Sequence, residues 1–229
     1  MGPSDIDQAL TRAEAAVKAG DGLAGTGFWP AVAAMKRDPG LLEEHAGRAA
    51  EIDQQAFRNW ALLVIPQGTG TVLAWLAVAV GGVLVGLAYV FKGWPAILLF
   101  LAGFGMIFVA THGLAHLVVG RLAGIRFTSW FVGTIGRPQP GVKVDYVSYL
   151  STAPVRRAWM HASGAIVSKI VPFALILPAV AAGLPSWLVW ALVLIGVVSV
   201  ITDVLWSTTK SDWKKFRREM TFSQTDRSG

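Results

Sequence analysis

The sequence predicts a mainly α-helical, polytopic membrane protein with four transmembrane helices, a short β-hairpin-like insertion and an N-terminal cytoplasmic helical region. Three observations carry that prediction. Apolar residues fill 54% of the 229 positions and charged ones only 15%, against about a quarter charged in a soluble domain. Four apolar runs, spanning about 71–91, 94–120, 160–183 and 186–207, each reach the ~20 residues that cross a bilayer as a helix. A chain this short cannot hide four such helices in a water-soluble core. The basic residues, finally, cluster where a membrane topology would put them. Six lie between the second and third runs and six follow the fourth, while the loops at Lys92-Gly93 and Leu184-Pro185 are almost bare of charge. The positive-inside rule then places both termini and the central loop in the cytoplasm, in the cell (inner) membrane.

Residues 1–62 are expected to form the cytoplasmic helical region. Ser4–Ala19 reads as an amphipathic helix, with Ser4 and Asp7 spaced for a capping box and Ile6, Leu10, Ala13 and Val17 on one face. Gly20–Gly27 holds four glycines and reads as a loop, and Phe28–Arg37 ends at the turn signal Asp38-Pro39-Gly40. Leu41–Trp60 is a second amphipathic helix with Ala49, Ile52, Ala56 and Trp60 aligned. His45, beside Glu43 and Glu44, is expected to be a solvated surface histidine. The polar start argues against a cleavable signal peptide.

The membrane core is expected over residues 71–207. In its first span Gly82 and Gly86 form a small-xxx-small pattern that admits a close neighbour. Pro172 and Pro178 should kink the third span. Within residues 125–150, "IRFTSWFVG" and "GVKVDYVSYL" read as short strands joined through Gly136–Gly141, because Val142, Val144 and Tyr146 alternate with Lys143 and Asp145. An irregular interfacial loop is the alternative. Residues 208–229 form a basic cytoplasmic tail. These juxtamembrane charges fit topology and anionic lipid, so the bilayer is the expected partner and nucleic acid is not. The chain has no cysteine, which excludes disulfides and thiolate metal sites.

Ionisable groups at membrane depth are costly and point to function by default. They are His112, His116, Lys169 and Asp203, with His161 near an interface. Residues four apart on a helix lie about 40° apart in azimuth and one turn apart along the axis, so both imidazoles can face one ion. His116 stands five residues before Arg121, and Asp203 seven before Lys210, which puts all three at similar depth if their spans run antiparallel. Two imidazoles and a carboxylate suit zinc with an open fourth position. Alternatively, two neutral histidines hydrogen-bond neighbouring helices while Asp203 pairs with Lys169.

With "HGLAHLVVGRLAGIRF" and "VITDVLWS" on the page, the chain resembles the site-2 protease family of intramembrane zinc metalloproteases. That family carries His-Glu-x-x-His on one transmembrane helix, followed by a Gly-[Ile/Val] step into membrane-associated strands. Here both histidines and the step Gly124-Ile125 are present. Ser163-Gly164-Ala165 falls loosely over the family's Ala-Gly-Pro and Ser168 over its Asn. Asp203 falls where the last ligand, an Asp in a later helix, is expected. The likeness covers roughly residues 71–210 and rests on spacing and order. It implies zinc held by His112, His116 and Asp203.

One departure matters most. The family's glutamate, which takes the proton from the attacking water, aligns with Gly113. Losing a positioned acid/base costs on the order of 10²–10⁴ in rate. Between Asp53 and Asp203 the only acidic residue is Asp145, a weak candidate base. The scaffold is metallopeptidase-like, with the catalytic base replaced, so the sequence alone does not assign it an enzymatic activity. The expectation is a metal-binding pseudoprotease that holds a transmembrane-segment client, with the strand-like segment 127–150 offering an edge for β-augmentation. The alternatives are an active, atypical metalloprotease using Asp145 and a structural or transport membrane protein without metal.

Overall fold

The computed structural model describes residues 1–136, 138–205 and 211–225, giving the backbone alone for residues 203–205, 224 and 225. The fold is mainly helical, with a small three-stranded antiparallel sheet. In chain order the elements are α1 (Pro3–Lys18), α2 (Phe28–Met35), α3 (Pro39–Trp60), β1 (Leu63–Pro66), α4 (Gln67–Leu87), α5 (Trp94–Leu122), β2 (Phe127–Val132) and β3 (Pro140–Val144). They continue with α6 (Tyr146–Ser151), α7 (Pro154–Ala174), α8 (Ile176–Ala181), α9 (Ser186–Leu205) and α10 (Asp212–Thr225). The chain divides into two compact units.

The first unit comprises Met1–Gln67, Gly120–Arg157 and the end of α10 from Glu219. Helix α1 buries Ile6, Leu10, Ala13 and Val17, the predicted apolar face. Its start differs from the predicted capping box. Gly2 is the N-cap, Pro3 takes the first helical position, and the Gly2 amide donates to Asp5 Oδ2 at 2.9 Å. Proline's fixed φ suits that position, where its missing N–H would have had no partner.

Asp38 and Pro39 open α3 in the same way. The Asp38 carboxylate accepts from the amides of Gly40 and Leu41 at 2.9 and 3.3 Å. Asp38→Ala should therefore lower the unfolding free energy by about 1 kcal/mol, read as a drop in the thermal midpoint of purified protein. The buried face of α3 passes through Ile52 and Phe57, whereas Trp60 is exposed. His45 is buried rather than solvated. It lies between α1 and α3, 3.8 Å from Asp7 and 3.7 Å from Glu44, because helical periodicity puts it one turn from Ala49 on the packed face.

The sheet order is β1-β2-β3. Leu63 pairs with Val132 and Pro66 with Ser129, while Val132 pairs with Pro140 and Phe127 with Val144. The hairpin over the 125–150 insertion is thus present, and β1 is a third strand that the sequence did not announce. Residues 146–151 form α6 and do not continue the strand, because Asp145 caps them, its Oδ1 accepting from the Ser148 amide at 2.8 Å. Phe57 of α3 meets Phe131 of β2 edge-on at 5.0 Å, and Lys143 of β3 pairs with Asp53.

The second unit comprises Gly68–Val119 and Ala158–Arg218. Among the described residues, three helices are long and apolar enough to cross a membrane: Gln67–Leu87, Trp94–Leu122 and Pro154–Ala181. The last is α7 and α8 with a break at Leu175, where Pro178 cannot donate to the Ala174 carbonyl. The apolar stretch of α9, Ser186–Thr202, is shorter than these three. Side chains such as Leu73, Leu76, Val83 and Leu194 stand more than half exposed, a surface that suits hydrocarbon and not water. The core of the unit is built on Val85, Ile97, Phe100, Leu188 and Leu192. The close approach of α4 to α5 occurs at Gly81 and Gly103, not at the predicted Gly82 and Gly86, around which a side chain would find nothing within 4 Å.

Candidate metal centre

His112 and His116 lie one turn apart on α5, their rings 4.8 Å apart and nearly perpendicular. What aims them is α7. The Met160 carbonyl faces His116 Nδ1 at 2.7 Å, and Ser168 Oγ faces His112 Nδ1 at 2.8 Å. A carbonyl can only accept, so His116 carries its proton on Nδ1. Ser168 donates its one hydroxyl proton to the Gly164 carbonyl at 3.0 Å, so it accepts from His112 Nδ1–H. In neutral imidazoles this leaves both Nε2 atoms with lone pairs, the state that metal-binding histidines reach through just such partners.

The two Nε2 atoms face each other at 3.3 Å. Asp212, the first residue of α10, completes the triangle. Its Oδ2 lies 3.2 Å from His116 Nε2 and 3.4 Å from His112 Nε2. Three electron-rich atoms at that spacing repel one another unless a positive centre sits among them, either a proton shared by an imidazole or a metal ion. The size of the triangle bears on the choice. Zinc–ligand bonds of about 2.0–2.1 Å in a tetrahedron give ligand–ligand edges of about 3.3–3.4 Å. Among the described residues, these three form the one group of three or more acidic or imidazole ligands that could hold a metal ion.

Two further features support the carboxylate. Lys215, one turn along α10, donates to Asp212 Oδ1 at 2.9 Å, which leaves Oδ2 for the triangle. Burial by itself would raise the Asp212 carboxyl. The contacts to His112 and His116 and the charge of Lys215 outweigh it and hold the group far below the usual carboxylate range. Access is uneven: the His116 side chain is 10% exposed and that of His112 27%, so a fourth position would open on the His112 side.

The structure brings His112 and His116 together on one face of α5. The side chain of Asp203 lies outside the described residues, and the carboxylate that meets the imidazoles is Asp212. The depth comparison missed it because only ionisable groups inside apolar runs were weighed, whereas Asp212 follows Lys210 in the basic tail. The signal that could have found it is Ser211-Asp212 opening the amphipathic run "DWKKFRREM", a helix start with a carboxylate in its first turn. Asp145 belongs to the first unit, where it caps α6 and faces Arg126 at 3.6 Å. Lys169 donates to the Ala165 carbonyl of its own helix at 3.0 Å.

Beside the triad, α5 and α7 also border an apolar groove of about 500 Å³ lined by Trp75, Leu114, Val118, Trp159, Ile166 and Val167. Comparison of the chain with protein-family models, curated proteins and solved structures finds no match.

Proposed function

We propose that this chain is a four-span membrane protein, with α9 as the fourth span and both termini cytoplasmic, that binds one zinc ion through His112, His116 and Asp212. In this reading the scaffold is of the site-2 protease kind, the position of the general base is held by Gly113, and the protein retains a membrane-embedded client without cutting it. One observation supports the metal above all others. Two lone-pair nitrogens and a carboxylate oxygen converge with edges of 3.2 to 3.4 Å, the dimensions of a tetrahedral zinc face. Zinc would supply Lewis acidity at an open position. The residues of the chain hold it and orient it through Met160 and Ser168. Asp145 is engaged in a helix cap, which favours the pseudoprotease over the active enzyme. The groove between α5 and α7 suits an apolar transmembrane segment, and β1 and β3 are the outer strands of the sheet among the described residues, the positions at which strand addition would occur.

Metal analysis of purified full-length protein tests the reading. The wild type should carry close to one zinc per chain, while His116→Ala and Asp212→Asn should retain only trace amounts. Asp203→Asn should keep its zinc. Equal trace metal in all four would retire the metal centre, and loss in Asp203→Asn alone would return the carboxylate to α9. Cleavage of candidate transmembrane substrates that disappears with Asp145→Asn would overturn the pseudoprotease.

A further inference from the structure

The first two turns of α10 carry more than the carboxylate of the triad. Ser211 caps the helix, its hydroxyl accepting from the Lys214 amide at 3.2 Å and its carbonyl from the Lys215 amide at 3.0 Å. The run that follows, Asp212-Trp213-Lys214-Lys215-Phe216-Arg217-Arg218, belongs to the second unit. At about 100° per residue, Asp212, Lys215 and Phe216 fall on one side of the helix. Arg217, Lys214 and Arg218 share an arc of roughly 100° on the opposite side. Burial follows the same division. Asp212, Trp213, Lys215 and Phe216 are half-buried, whereas Lys214, Arg217 and Arg218 are exposed. Lys215 is committed to Asp212, and the metal chemistry uses none of the three outward cations.

The packing of the other side gives this helix a level in the bilayer. Phe216 stacks on Trp213 at 5.1 Å and meets the Trp159 ring of α7 edge-on at 5.6 Å. Trp159 lies in the second turn of that apolar helix with about half its surface exposed. A half-exposed tryptophan near the end of a spanning helix belongs to the aromatic belt, where headgroups meet hydrocarbon. Met160, the next residue, supplies the carbonyl that orients His116. Triad, aromatic rings and cationic face therefore share the headgroup level. A basic amphipathic helix at that level is a form that binds membrane surfaces. Charge selects the lipid. The only acid of the run, Asp212, is on the other side, so the outward face complements anionic headgroups.

We propose that Lys214, Arg217 and Arg218 form a contact for anionic lipid headgroups, and that this contact holds the start of α10 where Asp212 completes the triad. The zinc affinity of the centre then depends on the charge of the membrane surface, a regulation that rests on the metal reading of the triad. The link is one of populations. A lipid that favours the seated helix raises the fraction of chains with all three ligands assembled, and apparent affinity rises with that fraction.

The test uses full-length protein in vesicles of phosphatidylcholine alone, or of phosphatidylcholine and phosphatidylglycerol in equal parts. Wild type is compared with Lys214→Gln/Arg217→Gln and His116→Ala. The two glutamines replace exposed side chains with a residue of similar helix propensity, so the fold is kept. Zinc affinity is measured against a competing chromophoric chelator, and hydrogen exchange of the peptide covering 211–218 is followed in metal-free protein. In anionic vesicles the wild type should exchange more slowly and bind zinc at least about fivefold more tightly, the contribution of one basic side chain near an anionic surface. Both differences should shrink as salt rises, and the double variant should lose most of each. Zinc gathered by the anionic surface itself would raise affinity equally in the double variant, and that result overturns the proposal. Equal affinity and equal exchange in the two vesicles overturn it while leaving the metal centre standing. Slower exchange with equal affinity overturns the control of the metal by lipid. If wild type and His116→Ala bind zinc equally poorly in both vesicles, the metal reading falls. The exchange of 211–218 then decides the lipid contact alone: slowing that the double variant loses supports it, and no slowing removes it.

Discussion

Gly164→Val is expected to abolish the zinc binding proposed for the triad without replacing any of its three residues. A Cβ at Gly164 would lie 2.6 Å from Cε1 and 2.8 Å from Cδ2 of His116, well inside van der Waals contact. The imidazole has little freedom to retreat, since it is buried and its Nδ1 is held by the Met160 carbonyl. A valine therefore pushes the ring by an appreciable fraction of an ångström, whereas metal–ligand bonds tolerate about 0.2 Å. Zinc affinity should fall by at least ~100-fold, and overpacking should cost about 1–3 kcal/mol of stability. The double variant His116→Ala/Gly164→Val separates the two effects. Removing the ring relieves the clash, so the thermal midpoint should recover relative to Gly164→Val while zinc binding stays absent. A Gly164→Val protein that binds zinc like wild type would show that His116 is not held against α7 as described.

The parts of the fold that the sequence disclosed are those governed by long periodicity. The amphipathic face of α1, the apolar runs of α4, α5 and α7, and the alternation in β2 and β3 each repeat over enough residues to overrule local exceptions. The step at Gly124-Ile125 was legible for a different reason. Gly124 has φ of 90° and closes α5, with the Ile125 amide donating to the Gly120 carbonyl at 2.8 Å, a conformation that a side chain would strain. What stayed hidden depends on tertiary contact. Strand β1 is four residues ended by a proline and exists through its pairing with β2. Phe57 and Trp60 both meet Phe131 of β2 edge-on, and of the two only Phe57 is buried, which the helical pattern alone does not reveal.

The candidate site was legible by halves. Two histidines four residues apart on one helix announce a shared face, because helix geometry alone brings them together. No local pattern brings Asp212 to them, since 96 residues separate it from His116. Asp203 was preferred on depth, a criterion that assumes every ligand comes from within a span. A short amphipathic helix with a carboxylate in its first turn can reach the same place from outside. The orienting partners were also beyond local pattern. Ser168 could be matched to a motif, but the Met160 carbonyl is a backbone group, and no residue type advertises it.

Gly103→Leu is expected to be the most damaging single change in the second unit. A Cβ there would stand 2.6 Å from the Gly81 carbonyl oxygen, 2.9 Å from Val85 Cγ2 and 3.1 Å from the Val85 amide nitrogen. Two of those three atoms are backbone of α4, which cannot yield as a side-chain tip can, so α4 and α5 must separate. Separation forfeits the close packing that associates helices where lipid removes the hydrophobic drive. It also opens the core around Val85 and Phe100, and a loss of ~3 kcal/mol or more follows by analogy with the most damaging core substitutions. Gly82→Leu and Gly86→Leu are the controls. A side chain at either position meets nothing within 4 Å, and leucine is a better helix former than glycine by somewhat under 1 kcal/mol. Those two variants should unfold at or slightly above the wild-type midpoint in detergent, and Gly103→Leu far below it. Equal destabilisation by all three would mean that α4 meets its neighbour through the Gly82–Gly86 stripe, and the packing that carries the histidine helix would have to be rebuilt around that face.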